Sequence, residues 1–288
     1  MELMFYSALQ LPVCKQIIHL KQMTSSMFIQ LQKYIIENDD EVIEKFLISI
    51  IDECIQEKNI AKSFNCIDKL ACLIKIRSIS CGDAVVFTNQ QNVQAQMSMQ
   101  QLLDSMNNIN FNISKVVDYV EYMHITIGLP RTMFLTDVAS IIQNCIHNIT
   151  INNRTLEFNS IANAEIAEIT DNLDVSIIGF INKFINDNAN LIITAFKGNE
   201  SLQLNDIIIS PFNNSMLDFC KFILKDDLMN LYKNVYTLAS KSHLAPEFLM
   251  SIAPIEQQIY IRLLIDEVEQ TNKQLSEKQN GVNMPSYG

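Results

Sequence analysis

"TSSMFIQLQKYIIENDDEVIEKFLISIIDECIQEK", residues 24–58, decides the fold class, because its apolar residues recur at helical spacing in two successive blocks. In the first block Met27, Phe28, Leu31, Tyr34 and Ile35 return every three or four residues, and Thr24 or Ser25 supplies a capping hydroxyl ahead of them. In the second, Asp39 is placed to cap and acidic residues fill the first turn, where the helix dipole favours them. Val42, Ile43, Phe46, Leu47, Ile50, Ile51 and Cys54 then form one apolar stripe. Two helices joined by a tight turn make an antiparallel hairpin.

Upstream, residues 3–22 lack helical periodicity. Pro12 and the alternating tract from Lys15 to Lys21 predict one or two short strands. Downstream, "IDKLACLIKIRSIS" (67–80) reads as a third helix with Leu70, Leu73, Ile74 and Arg77 on successive turns, closed by Gly82. "DAVVFTN" (83–89) reads as a strand, and a further strand is expected at about 120–128, before Gly128 and Pro130 interrupt the alternation. "TDVASIIQNCI" (136–146) is helical, and Asn152-Asn153 between two short apolar tracts predicts a hairpin. Residues 163–187 and 215–244 read as helical, and "SIAPIEQQIYIRLLIDEVEQTNKQ" (251–274) as a closing helix with Pro254 in its first turn. Its apolar stripe is Ile255, Ile259, Leu263, Leu264 and Val268. The expectation is an α+β protein, mainly α-helical, with small β elements near 1–22 and 82–160 covered by amphipathic helices. Residues 1–196 form an α+β part, 197–215 a connecting segment, 216–280 a helical C-terminal part and 281–288 a flexible tail.

Composition narrows the function classes. With 288 residues, 48% hydrophobic and 18% charged, the chain reads as folded. Its net charge is -11, and residues 81–180 hold only Lys115, Arg131 and Arg154 as basic side chains among a larger number of acidic ones. Nucleic acid is therefore not expected as a partner, because phosphate binding needs clustered Lys and Arg. No apolar run approaches a membrane span; "FLISII" at 46–51 is among the longest. Seven scattered cysteines and the absence of a secretory leader pattern point to a reducing cytoplasm.

Catalytic signatures are missing: no Gly-rich phosphate loop, G-x-S-x-G elbow or H-E-x-x-H is present. No cofactor and no metal site are expected. Cys54, Cys66, Cys72 and Cys81 lack the close C-x-x-C spacing of a zinc knuckle and read as buried apolar thiols. A hydrolase or transferase using a dispersed site, such as Cys145 with His147 or Cys14 with His19, is the alternative from another class. Arg77 stands inside an apolar tract, either snorkelling to a local carboxylate or contacting a partner. Glu256, in the first turn after Pro254, complements a helix N-terminus. Ile259, Tyr260 and Leu263 face either the core or a partner.

Three segments, in order, resemble the baseplate hub and hub-assembly proteins of T-even-type tailed bacteriophages. The first is "LPVCKQIIHLKQMTSSMFIQLQKYIIENDDEVIEKFLISIIDECI", with its Leu-Pro, strand, two helices and Cys. The second, "IDKLACLIKIRSISCGD", is similar to the family segment ending in Arg, Ser and Gly, here Arg77, Ser78, Ser80 and Gly82. The third runs from "LMNLYKNVYTLASKSHL" into the closing helix and carries the resemblance through Tyr232, Asn234, Pro254, Glu256, Tyr260, Leu263 and Leu264. It departs from the family in having no Trp after Pro254 and no paired cysteines in the middle. The resemblance implies a non-enzymatic, late viral protein of tail morphogenesis. Its role would be assembly factor or chaperone for the central baseplate hub, or else a structural hub subunit of the virion. Hub proteins or the tape-measure protein would be its partners, in the host cytoplasm or the virion tail. Arg77, Glu256, Tyr260, Leu263 and Leu264 are the expected partner-binding residues, with the closing helix and the N-terminal helix pair giving most of the contact surface.

Overall fold

Asp39 stands where residues 24–58 change direction, and its carboxylate accepts from the backbone N–H groups of Glu41 and Val42 at 3.1 Å each. That cap starts α2 (Asp40–Cys54), whose first turn carries Asp40 and Glu41. Before it lies α1 (Ser25–Glu37), where the Thr24 hydroxyl accepts from the Met27 N–H. Between them Asn38 takes φ 57°, a left-handed geometry that Asn tolerates because its short side chain can bond locally. The two helices read from this stretch are both present.

The structure is a computed structural model and describes residues 6–57, 60–88, 94–152, 154–158, 174–197, 211 and 215–281. By internal contacts the chain forms two units: Met1–Gln22 with Tyr34–Lys225, and Met23–Lys33 with Asp226–Gly288.

In the first unit, β1 (Ser7–Gln10) and β2 (Ile17–Leu20) pair antiparallel, with Ser7 opposite Leu20. The unit is built round α3 (Cys66–Cys81), capped by Asn65, whose Oδ1 accepts from the N–H groups of Ile67 and Asp68 at 3.0 and 2.9 Å. α2, β1, β2, α4 (Met99–Asn107) and α7 (Ser215–Leu224) all pack against α3. Being enclosed on most sides, α3 buries Asp68, Lys69 and Ser80 along with Leu70, Leu73, Ile74 and Ile76. Truncating fully buried Leu70 to Ala would cost about 2–5 kcal/mol.

Two further sheets complete this unit. β3 (Ala84–Thr88) pairs with β4 (Gln94–Ser98), and β5 (Ser114–Val120), β6 (Met123–Gly128), β7 (Ile146–Ile151) and β8 (Arg154–Glu157) form an antiparallel meander in chain order. Val117, Ile125, Ile127 and Ile149 are buried. The helices α5 (Val138–Cys145) and α6 (Val175–Lys197) pack on this sheet and on each other.

The mainly helical α+β class expected from the sequence is the class found, with some differences in detail. The strand placed at about 120–128 is the turn of a hairpin followed by β6: Val120 ends β5, Glu121 and Tyr122 turn, and Met123 starts the next strand. Sequence reading missed β4, α4 and β5. The hairpin expected at Asn152 is β7–β8, with Asn152 at φ 49°; Asn153 lies outside the described residues. The helical reading of 163–187 is met from Val175 onward, and residues 163–173 lie outside the description. So do most of the 197–215 segment and residues 282–288.

In the second unit, Met23–Lys33 joins α8 (Leu228–Ser242), α9 (Pro246–Ser251) and α10 (Pro254–Gly281). The stretch read as helical over 215–244 is two helices: the first ends at Leu224, and the Asp227 carboxylate caps the second by accepting from the N–H groups of Met229 and Asn230. The Ser25 N–H and hydroxyl both donate to the Ile252 carbonyl at 2.8 Å, and Gln32 Oε1 accepts from the Asp226 N–H at 2.9 Å. Among the described residues no helix is long and apolar enough to cross a membrane.

Candidate interaction surfaces

Pro254 opens α10 because its missing N–H is one that a helix start leaves unbonded anyway. Two residues on, the Glu256 carboxylate turns back to accept from the Ala253 N–H at 3.1 Å, the reciprocal half of a capping box. Gln257 is buried, and its Nε2 donates 2.7 Å to the Leu249 carbonyl, tying α9 to α10. Glu256 and Gln257 therefore fix where α10 begins.

Beyond that anchor the helix is unusually bare. Tyr260 is 37% exposed and meets Phe248 edge-on, ring centroids 6.2 Å apart. Leu263 is 58% exposed and Leu264 half-buried. Ile259, Ile265, Val268 and Leu275 are also exposed. On a helix of 3.6 residues per turn these residues lie on two faces. Ile255, Ile259 and Leu263 line one; Gln257, Ile261, Leu264, Val268 and Leu275 line the other. α10 packs against α8, and on the second face Gln257 is buried and Ile261 and Leu264 are half-buried. α8 in turn exposes Met229, Tyr232 and Tyr236 at i, i+3 and i+7, a stripe on one side. Among the described residues, the second unit thus leaves large apolar groups of α8 and α10 exposed to water.

Glu256, Tyr260, Leu263 and Leu264 thus share one helix of the second unit, whereas Arg77 belongs to the first. Arg77 is half-buried on α3, its Nε donating to the Ile223 carbonyl and its Nη1 to the Gly82 carbonyl, both at 2.9 Å. Those carbonyls lie at the C-terminal ends of α7 and α3, where the helix dipole favours a cation. Its geometry is that of a clamp across two helix ends.

The first unit holds polar features that sequence reading passed over. Asp68 is fully buried and accepts from the backbone N–H groups of Val13 (2.8 Å) and Cys14 (3.3 Å) and from Asn65 Nδ2 (2.8 Å). Burial pushes its carboxyl above the ordinary range, against the pull of these donors. Lys69 is also buried, donates to the Arg131 carbonyl, and has its pKa lowered by that burial. No periodicity marks such residues: a Lys and an Asp in "IDKLACLIK" look like one solvated turn.

His147 is half-buried, and burial followed by the nearby Arg131 charge pushes its pKa down. Its ring lies against Gly128, where a Cβ would come within 2.2 Å of Cε1. Cys145 is fully buried and its thiol is pushed far up by burial, which removes the thiolate needed for attack at neutral pH. Cys14 is exposed, with its thiol raised by partial burial and by Asp68, while the His19 ring meets Glu57 at 3.3 Å. A depression of ≈ 750 Å³ lined by residues that include Asn38, Asp39, Asp40, Glu41, Thr132 and Phe134 is open and of mixed polarity. In it Asp39 is the α2 cap and Asp40 pairs with Lys221.

Comparison with known proteins gives one positive finding. The family model described as T4 bacteriophage base plate protein matches residues 4–200. No curated protein and no solved structure matches the chain. The match covers the first two of the three segments that carry the sequence resemblance, and with them Arg77; α8, α9 and α10 lie beyond it. Since it spans well over half of the 288 residues, this chain belongs to the T4 bacteriophage base plate protein family.

Proposed function

We propose that the protein is a non-enzymatic factor of phage tail morphogenesis that helps to assemble the central hub of the baseplate. It acts by holding a hub protein or the tape-measure protein in the host cytoplasm before tube growth. The observation that carries this reading is the second unit, which displays Met229, Tyr232 and Tyr236 on α8 and Ile259, Tyr260 and Leu263 on α10 in water. An apolar helical surface of this kind suits a helical client whose own stripe must be shielded until it docks. The acidic chain adds a field that draws basic clients and repels others. Membership of the baseplate family supports the setting.

The test is co-purification from infected cells of wild type and of Leu263→Glu, Tyr260→Glu and Tyr236→Glu variants, each checked for unchanged circular dichroism. The expected result is capture of a baseplate hub or tape-measure protein by the wild type and at least tenfold less by the variants, about 1.4 kcal/mol. Equal capture by all variants would place the client elsewhere on the protein. Capture of no baseplate protein by the wild type would reject the assembly role.

A further inference from the structure

One cation of the first unit stands where no carboxylate does. Arg131 and His147 both line two adjoining recesses, one of ≈ 370 Å³ and one of ≈ 130 Å³. The larger also presents Gln143 and Asn144 from the last turn of α5, and the smaller adds an apolar wall of Val13, Ile113 and Leu129. Among the described residues no Asp or Glu lines either recess, in a chain that carries 32 of them against 21 Lys and Arg.

Both groups are held in place. The Pro130 carbonyl accepts from the Cys66 N–H at 2.7 Å and the Arg131 carbonyl from Lys69 Nζ, so the backbone that carries the guanidinium is tied to the first turn of α3. The imidazole lies on Gly128, whose missing side chain leaves room for it, and a hydrogen bond ties it to the Leu129 backbone. Burial and then the Arg131 charge hold His147 below its ordinary pKa, and of the described charged groups Arg131 is the one that acts on this ring. Near neutral pH the two side chains therefore bring about one positive charge to the recess.

A guanidinium beside a neutral imidazole suits one ligand chemistry. Guanidinium pairs with a carboxylate through two parallel bonds, and a single positive charge balances a monoanion, whereas a phosphate dianion would be left half neutralised. The apolar wall gives a carbon stem a place to lie. We infer that this double recess binds a carboxylate, its oxygens on Arg131 beside His147 and its stem against the apolar wall. The carboxylate belongs to a small free acid or to the end of a protein chain, and the recognition is the same in both. A bound anion favours the imidazolium, so occupancy raises the pH at which His147 titrates. The site lies in the first unit and does not depend on any client held by α8 and α10.

The test follows the His147 ring by NMR of the full chain in carboxylate-free buffer, its signal assigned by its loss in His147→Gln. Four probes are added in turn: hexanoate, hexanamide, and a tetrapeptide ending in Leu with a free or an amidated C-terminus. Hexanoate or the free-ended peptide is expected to move the ring signal saturably, with Kd of about 1 mM or below, and to raise its titration point, while both amides leave it in place. Arg131→Gln is expected to weaken binding about tenfold or more, with circular dichroism unchanged, and Arg131→Lys to restore part of it. Arg154→Gln removes an exposed cation of β8 outside both recesses and is expected to leave binding as it was. Tighter binding of hexanoate assigns the site to a small acid; tighter binding of the peptide assigns it to a chain end. No saturable movement with either carboxylate overturns the inference. So does equal binding of the amides, or a loss in Arg154→Gln as large as that in Arg131→Gln.

Discussion

Replacing Gly128 with Ala tests how tightly the central meander is packed. Gly128 ends β6, and its backbone takes no left-handed φ, so Ala meets no conformational penalty there. In a free strand the change would stabilise by about 0.4–1 kcal/mol through the unfolded chain. The added methyl, however, would stand 2.2 Å from His147 Cε1 and 2.6 Å from both ring nitrogens. Carbon atoms pack at about 3.5–4.0 Å, so the imidazole must move by more than an ångström from a half-buried site. Overpacking of that kind costs about 1–3 kcal/mol, which leaves a net loss of about 0–2.6 kcal/mol. Urea unfolding followed by circular dichroism measures it, since the chain has no Trp for fluorescence. The decisive comparison is a double-mutant cycle with His147→Ala: with the ring gone, Gly128→Ala should become neutral or stabilising. A loss of the same size in both backgrounds would refute the clash.

Three further outcomes follow from the geometry. Arg77→Ala should cost about 2–4 kcal/mol, because two charge-assisted bonds to helix-end carbonyls are lost from a half-buried site. Arg77→Lys should recover part of this; a loss below about 0.5 kcal/mol in urea unfolding would mean that the clamp is idle. His147 has a folded pKa below its ordinary value, so the unfolded chain binds the proton more readily. Its contribution is present above the unfolded pKa of about 6.5 and is lost as pH falls toward the folded value. The stability of His147→Gln should accordingly fall less than that of wild type between about pH 7 and 5 in thermal melts, and parallel curves would contradict the sign. Asp68 runs the other way: its raised carboxyl stabilises below about pH 4, and that contribution is lost as pH rises through the folded pKa. The gap between wild type and Asp68→Asn should therefore be widest in acid, as urea midpoints across pH would show.

How much of this was legible beforehand depends on whether a residue's role is written in local spacing. Asp39, Asn65 and Asp227 cap helices by local bonds, and Asn152 turns a hairpin by its own φ, so such positions are open to sequence reasoning. β4 is "QAQMS", poor in branched and aromatic residues, and it is a strand because β3 pairs with it. That is a tertiary cause and leaves no periodic mark. Asp68 and Lys69 are in the same position, since only the enclosure of α3 makes a DK pair internal. For the candidate surface, the apolar stripe of the closing helix was visible as spacing, but spacing does not say which side of a helix has a neighbour. Ile259, Tyr260 and Leu263 read equally well as core, and in the fold they are exposed. Glu256 and Arg77 are each engaged with backbone groups of the chain, which local spacing did not show.

The central claim, an assembly role at the baseplate hub, is tested most directly by counting copies of the protein per tail. Quantitative mass spectrometry of purified virions is set beside infected-cell lysate and normalised to a tail-tube protein. Abundance in lysate with less than one copy per virion is the result expected of a factor that leaves before the tail is complete. A fixed whole number of copies in every virion would contradict it and make the chain a structural subunit of the baseplate.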